Sequence, residues 1–115
     1  MPSKSPALAL SGIATNIRLA REFVRGMSFA EFKADQKTMY AVIRCLEIIS
    51  EASRRLPAEM KQRHDHIPWA QIAGSGNIYR HEYDGVRETM IWQTVHGGLG
   101  PLETVVEAEL ARLGE

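Results

Sequence analysis

An all-α bundle is the fold this sequence predicts, and three observations carry the prediction. Apolar residues recur with the 3.6-residue period of a helix. No Asn-Gly or Asp-Gly turn separates alternating apolar runs, so strand signals are weak. Helix-capping residues also stand where the periodic stretches begin, at Ser28 and Asp35.

The first helix is written in Leu10, Ile13, Ile17, Ala20 and Val24, and Gly26 acts as its C-terminal breaker. Ser28 followed by Glu31 forms a capping box for a short helix over Phe29 to Lys33. Asp35 then caps a long helix expected to reach about Leu56, where Pro57 closes it. Met39, Val42, Ile43, Leu46, Ile49 and Ser53 trace one face of that helix, and Tyr40, Ile48 and Ala52 widen it. So broad an apolar face suits a helix that contacts more than one neighbour.

Along the other side run Arg44, Glu47, Glu51 and Arg55, at i, i+3, i+7 and i+11. Two readings stay open. The stripe is either solvated and internally paired, each pair contributing a few tenths of a kcal/mol, or it meets a neighbouring helix and orients its polar groups.

Pro57 to His66 reads as a polar connection with a helical turn around Glu59 to Arg63. Pro68 suits the first turn of the next helix, expected from about Trp69 towards Tyr83. Gly74 and Gly76 predict a kink or break midway. Asp84-Gly85 reads as a turn, after which Val86 or Arg87 opens a last helical region. That region bends near Gly97 to Pro101 and continues through Leu102, Val105, Val106 and Leu110. The sum is an up-and-down bundle of four to five helices in one domain spanning all 115 residues.

Hydrophobic content is 44% and charged content 24%, which is ordinary for a globular protein. The formal net charge of zero argues against a free-standing nucleic-acid binder held by a strong positive field, but leaves room for a local basic patch. Cys45 is the single cysteine and falls in an apolar helical pattern, so it reads as a small buried hydrophobe suited to a reducing compartment. No run is long and apolar enough to span a membrane, and the short apolar run Pro6 to Leu10 is too soon interrupted for a signal peptide. A cytoplasmic location is the expectation.

His64 and His66 flank Asp65 in the polar connection. Without a convincing third ligand they read as part of an exposed loop rather than a metal site. His96, beside the glycine bend, is assigned no role.

The richest segment is Ile67 to Trp92. Asn77, Arg80 and His81 stand at i, i+3 and i+4 and so project from one helical face. Tyr83 lies roughly 200° round from His81 on an ideal helix, so the two share a site only if the helix ends near that point. An imidazole beside a guanidinium and an amide supplies what phosphodiester chemistry needs, a base for a hydroxyl and a cation for a phosphate. A lone helical histidine is more often structural, and the companions of His81 shift that balance to even.

The run IPWxxIxGxxNxxxHxY, followed by GVxxxxIWxTV and LxPL, resembles the HepT-like branch of the HEPN superfamily. Upstream, FxxGxSxxEFxxD (Phe23 to Asp35) and AVxRxLEIIxEA (Ala41 to Ala52) are similar too, so the resemblance covers about residues 10 to 110. It implies a helical bundle that homodimerises and brings two R-x4-H-x-Y motifs to one cleft. It further implies a metal-independent endoribonuclease that needs no cofactor and acts as the toxin of a type VII-like toxin–antitoxin pair. The implied partner is a minimal nucleotidyltransferase antitoxin that adds adenylyl groups to the motif tyrosine. By position His81 matches the motif histidine, Tyr83 the tyrosine and Asn77 the asparagine that follows the arginine.

The arginine itself is replaced by Gly76, and Arg87 stands where relatives more often carry an acidic residue. Removal of a cation that stabilises transition-state charge commonly costs about a hundredfold or more in rate. Arg80 lies one turn after Gly76 and about 40° round, and is the sequence's candidate replacement. The expected site is therefore His81 as base, Asn77 and Arg80 as its catalytic companions, and Tyr83 as modification site or substrate contact. Arg44, Glu47 and Glu51 form a supporting stripe. A degenerate motif equally suits a non-catalytic helical module that binds a nucleotide or the nucleotidyltransferase, and a third reading is a structural homodimer with an inert His81.

Overall fold

The computed structural model describes residues 5–80 and 86–114, with side chains described outside 77–86. Among the described residues the chain is helical throughout, without strands. Four longer helices form the frame: α1 (Ala7–Phe23), α3 (Gln36–Arg54), α5 (Trp69–Arg80) and α7 (Gly100–Arg112). Three shorter ones, α2 (Phe29–Ala34), α4 (Ala58–Arg63) and α6 (Val86–Gln93), connect or brace them.

The boundaries follow local chemistry. Leu10, Ile13, Ile17 and Ala20 of α1 have no exposed surface, and Gly26 takes φ +76°, a left-handed conformation that side chains disfavour. The capping box before α2 is complete. Ser28 Oγ accepts from the Glu31 amide at 3.1 Å, and the Ser28 amide donates to Glu31 Oε1 at 2.8 Å. Ser28→Ala should lower stability by about 1 kcal/mol, read as a fall in the midpoint of chemical denaturation. Asp35 caps α3 by accepting from the Thr38 amide at 3.0 Å and the Thr38 hydroxyl at 2.9 Å. Those bonds to the charged form hold its carboxyl below the ordinary range.

Helix α3 is central: its apolar face packs on α1 and α5 and also meets α2 and α6. Met39, Val42, Ile43, Leu46, Ile49, Ala52 and Ser53 are buried, and so is Cys45, whose thiol is pushed up by burial. Tyr40 departs from expectation. It is 60% exposed, because it lies at the flank of the stripe beyond the reach of a neighbouring helix. Phe32, fully buried, brings α2 against Trp92 of α6 at 5.4 Å between ring centroids.

The start of α5 is pinned by Trp69, whose indole N–H reaches the carbonyls of Lys61 and His64 at 3.2 and 3.0 Å. The helix then runs unbroken through Gly74 and Gly76 to Arg80, contrary to the expected kink or break. Contact with α3, described below, holds the glycines in helical geometry. The Asp84-Gly85 turn lies outside the described residues. The expected bend before α7 takes the form of a π-helical turn, Thr94–Gly98, closed by the Leu99 amide donating to the Thr94 carbonyl at 3.1 Å. Arg87 of α6 leans on α3, its Nη2 at 3.7 Å from Met39 Sδ.

Helix α7 is fastened by an ion cluster. Glu109, 2% exposed, accepts from Arg63 Nη2 at 2.9 Å and lies 2.6 Å from His64 Nε2. His64 is thus bound to α7 and not simply part of an exposed loop, whereas His66 is exposed. The Arg63 hydrogen bond holds the Glu109 carboxyl below its ordinary range against the opposing effect of burial, with His64 adding to the lowering. A carboxyl lowered by folding contributes stability that is present above its unfolded pKa and lost as pH falls through its folded one. Native protein should therefore lose thermal stability as the pH drops below about 4.5. Glu109→Gln should flatten that loss and cost about 1–2 kcal/mol at neutral pH. That is a low figure for charged hydrogen bonds, because Arg63 is 38% exposed. Melting curves between about pH 3 and 7, the range that brackets carboxyl titration, would check both.

Candidate functional site

Two helices build the site, and small residues let them approach. On α5 the run Ala73-Gly74-Ser75-Gly76 presents little side-chain bulk. On α3 the facing residue is Ser50, 2% exposed. Its hydroxyl donates to the Ala73 carbonyl at 2.9 Å. A Cβ placed on Gly76 would lie 3.4 Å from Ser50 Oγ and 3.8 Å from Ser50 Cβ, so the two helices nearly touch there.

Arg54, one turn further along α3, joins the same carbonyl. Its Nε and Nη2 donate to Ala73 O at 3.0 and 2.6 Å. The Ala73 carbonyl is thus clamped by Ser50 and Arg54 together, and this cross-helix clamp sits one turn before Gly76. It opposes the loosening that two glycines would otherwise bring to α5.

At this contact a cavity of about 510 Å³ opens to solvent. Gly76 and Ser50 line it, and Arg44, Glu47, Glu51 and Arg54 of α3, with Arg55 at that helix's C-cap, form its polar wall. The wall residues also pair along α3. Arg44 lies 3.6 Å from Glu47, and Glu51 lies 3.8 Å from Arg55 and 3.9 Å from Arg54. The stripe is therefore paired along its own helix, and it shares the lining of this cavity with Gly76 of α5. Such half-exposed pairs contribute little to stability, about 0–1 kcal/mol each. Three arginines against two glutamates leave the wall with an excess of one positive charge. The wall is thus of mixed charge with a slight positive excess, in a protein of zero net charge.

Of the sequence-predicted residues, Arg44, Glu47 and Glu51 line this cavity together with Gly76, the motif-arginine position. Asn77 and Arg80 lie on the last turn of α5, directly after Gly76, with side chains outside the described residues. His81 and Tyr83 lie outside the described residues altogether. Ser50 and Arg54 were not singled out by sequence reasoning. A signal for Arg54 did exist, since it stands at i+7 from Glu47 and i+3 from Glu51 and so continues their row.

His96 and Trp92 form a separate aromatic pair. Their ring centroids are 3.9 Å apart, and His96 Nδ1 lies 2.9 Å from the Trp92 carbonyl. An imidazole N–H donated to a backbone carbonyl fixes the ring against its own helix.

Comparison with known proteins places these features in a family. Residues 13–109 match the family model described as ribonuclease HepT-like. A protein of Thermococcus cleftensis described as a probable ribonuclease HepT is 44% identical over 75% of this chain and 78% of its own length. A protein of Caldanaerobacter subterraneus subsp. tengcongensis, named as a candidate RNase, is 37% identical over 95% of this chain and 97% of its own. Another named in the same way, from Methanocaldococcus jannaschii, is 36% identical over 83% of this chain and 78% of its own. No solved structure matches the chain.

Proposed function

Because the chain belongs to the ribonuclease HepT-like family, we propose that it cleaves RNA without a metal or other cofactor, through a motif centred on His81. In this reading the imidazole of His81 takes the proton of a ribose 2′-hydroxyl. The 2′-oxygen then attacks the adjacent phosphorus, and the bond to the 5′-oxygen of the next nucleotide breaks as that oxygen gains a proton. The products are a 2′,3′-cyclic phosphate and a free 5′-hydroxyl, and no electrons change hands. Asn77 orients the imidazole or a phosphate oxygen. Tyr83 contacts the substrate or accepts an adenylyl group.

The observation that supports this reading most is the position of Gly76. The motif begins where α5 meets the charged wall of α3, so a phosphate held beside the motif has the wall's three arginines, set among two glutamates, within the same cavity even though position 76 contributes none. Negative charge develops on the phosphate oxygens during such a reaction, and a fixed cation there lowers the barrier. Arg80, on the same helix, is one source of that charge.

In the cell the chain would act as the toxin of a toxin–antitoxin pair. It would be cytoplasmic, built as one domain and assembled as a homodimer that brings two motifs to one cleft. A minimal nucleotidyltransferase would be its antitoxin and Tyr83 the residue modified. Among the described residues no helix is long and apolar enough to cross a membrane. The absence of a side chain at Gly76 favours a second reading, in which the same groove serves a non-catalytic module that binds a nucleotide or the nucleotidyltransferase. Incubating purified protein with RNA in the presence of chelator separates the two. Cleavage to cyclic phosphate ends supports the enzyme, and its absence supports the module.

A further inference from the structure

Position 76 offers a phosphate no side chain, so the charge that meets the phosphate has to come from another part of the site. We infer that Arg54, reaching across from α3, supplies the phosphate-facing cation that the motif lacks on α5; the inference rests on the ribonuclease reading above.

The geometry that carries it is the clamp on Ala73. Arg54 Nε and Nη2 are fixed on that carbonyl at 3.0 and 2.6 Å, one helical turn before Gly76, and the side chain lines the cavity that Gly76 opens. A guanidinium carries five N–H groups in a rigid fork. Two are committed to Ala73; among the described residues the remaining groups meet only Glu51, 3.9 Å from Nη1 and beyond hydrogen-bond distance, so they can turn to another acceptor. The side chain is half-exposed, so an incoming phosphate can reach those groups. Because the fork is already held by the Ala73 carbonyl, little rotamer freedom is lost when a phosphate binds.

The neighbouring acids offset this charge only in part: Glu47 is paired with Arg44, and Glu51 is shared between Arg54 and Arg55 at 3.9 and 3.8 Å. Among the described residues, Arg44 and Arg55 meet only α3 acids, whereas Arg54, besides its contact with Glu51, is hydrogen-bonded to α5, the helix that precedes His81 in the chain. An arginine placed at position 76 would extend from α5 into the cavity that Arg54 lines from α3. The two side chains would then serve one phosphate, and their effects on cleavage should not add.

That non-additivity is the test. Single-turnover RNA cleavage is compared for native protein, Arg54→Gln, Arg54→Lys, Gly76→Arg and the Arg54→Gln/Gly76→Arg double variant. Binding of an uncleavable 2′-O-methyl oligonucleotide is measured on each by fluorescence anisotropy. Arg54→Gln should lower cleavage about a hundredfold in the native background. Arg54→Lys should retain part of the activity. The double variant should fall within about threefold of Gly76→Arg, because the new arginine takes over the phosphate. A clamp that served only to hold α5 would give the same loss in both backgrounds, and that result overturns the inference. So does native-level cleavage and binding by Arg54→Gln, or loss of cleavage in Arg80→Ala with none in Arg54→Gln.

The binding arm separates this inference from the reading beneath it. If neither native nor Gly76→Arg protein cleaves RNA, the ribonuclease reading fails. Binding of the oligonucleotide weakened about tenfold in Arg54→Gln and restored in the double variant would still place the phosphate at Arg54. Equal binding by all variants would overturn it there too.

Discussion

His81→Ala should reduce RNA cleavage by about a hundredfold to ten-thousandfold, the range that a positioned general acid–base contributes. An alanine has no group to take the proton from a ribose 2′-hydroxyl. Binding of the uncleavable oligonucleotide should change little, since the imidazole acts on a proton and the phosphate charge is met by arginine. This split between lost cleavage and retained binding is the signature of a base. Rate constants and anisotropy titrations on the same preparations would read it. Parallel loss of cleavage and binding would instead point to a structural histidine whose removal disturbs the end of α5.

Gly76→Arg should raise cleavage, by between about tenfold and a few hundredfold. The lower figure applies if Arg54 already meets most of the phosphate charge, and the upper if it meets little. The substitution has room. Its Cβ would approach Ser50 Oγ to 3.4 Å, a distance the hydroxyl can accommodate, and the rest of the chain would enter the open cavity beyond. Replacing a glycine in mid-helix also favours the helix by about 0.8 kcal/mol. The melting temperature should therefore hold or rise while activity rises. Cleavage rates and thermal melts on the same sample check both parts. A stable Gly76→Arg protein no more active than native would show that phosphate charge does not limit the reaction.

Much of the fold was legible because it is locally encoded. Ser28 with Glu31, Asp35 and Gly26 each act through bonds within a few residues, and each sits at the boundary its chemistry predicts. Long-range effects were not legible. Gly74 and Gly76 read as helix breakers by propensity, yet α5 is continuous because Ser50 and Arg54 hold it from α3. Tyr40 reads as part of an apolar face, yet no helix covers it. Glu109, inside an ordinary-looking amphipathic helix, is buried against Arg63 and His64, which lie 46 and 45 residues away in sequence. No local pattern announces such a cluster.

At the site, the row Arg44, Glu47 and Glu51 was readable from its spacing, whereas the cavity it lines together with Gly76 was not. Arg54 escaped notice because Arg55 fits a strict i, i+3, i+7, i+11 pattern better, and nothing local shows which of two adjacent arginines reaches across to a backbone carbonyl. The chemistry of His81 and Tyr83 was read from residue type and order and from the family motif, and the experiments above bear on it directly.

The most direct test of the central claim is end-group analysis of RNA incubated with purified native protein and excess chelator. A substrate with a single 2′-O-methyl group at the cleaved nucleotide is run beside it. The account predicts cleavage unaffected by chelator, fragments ending in 2′,3′-cyclic phosphate and 5′-hydroxyl, and no cleavage at the blocked position. Intact RNA after exposure to native protein, under conditions where Gly76→Arg cleaves, would contradict it and leave a binding module built on a nuclease frame.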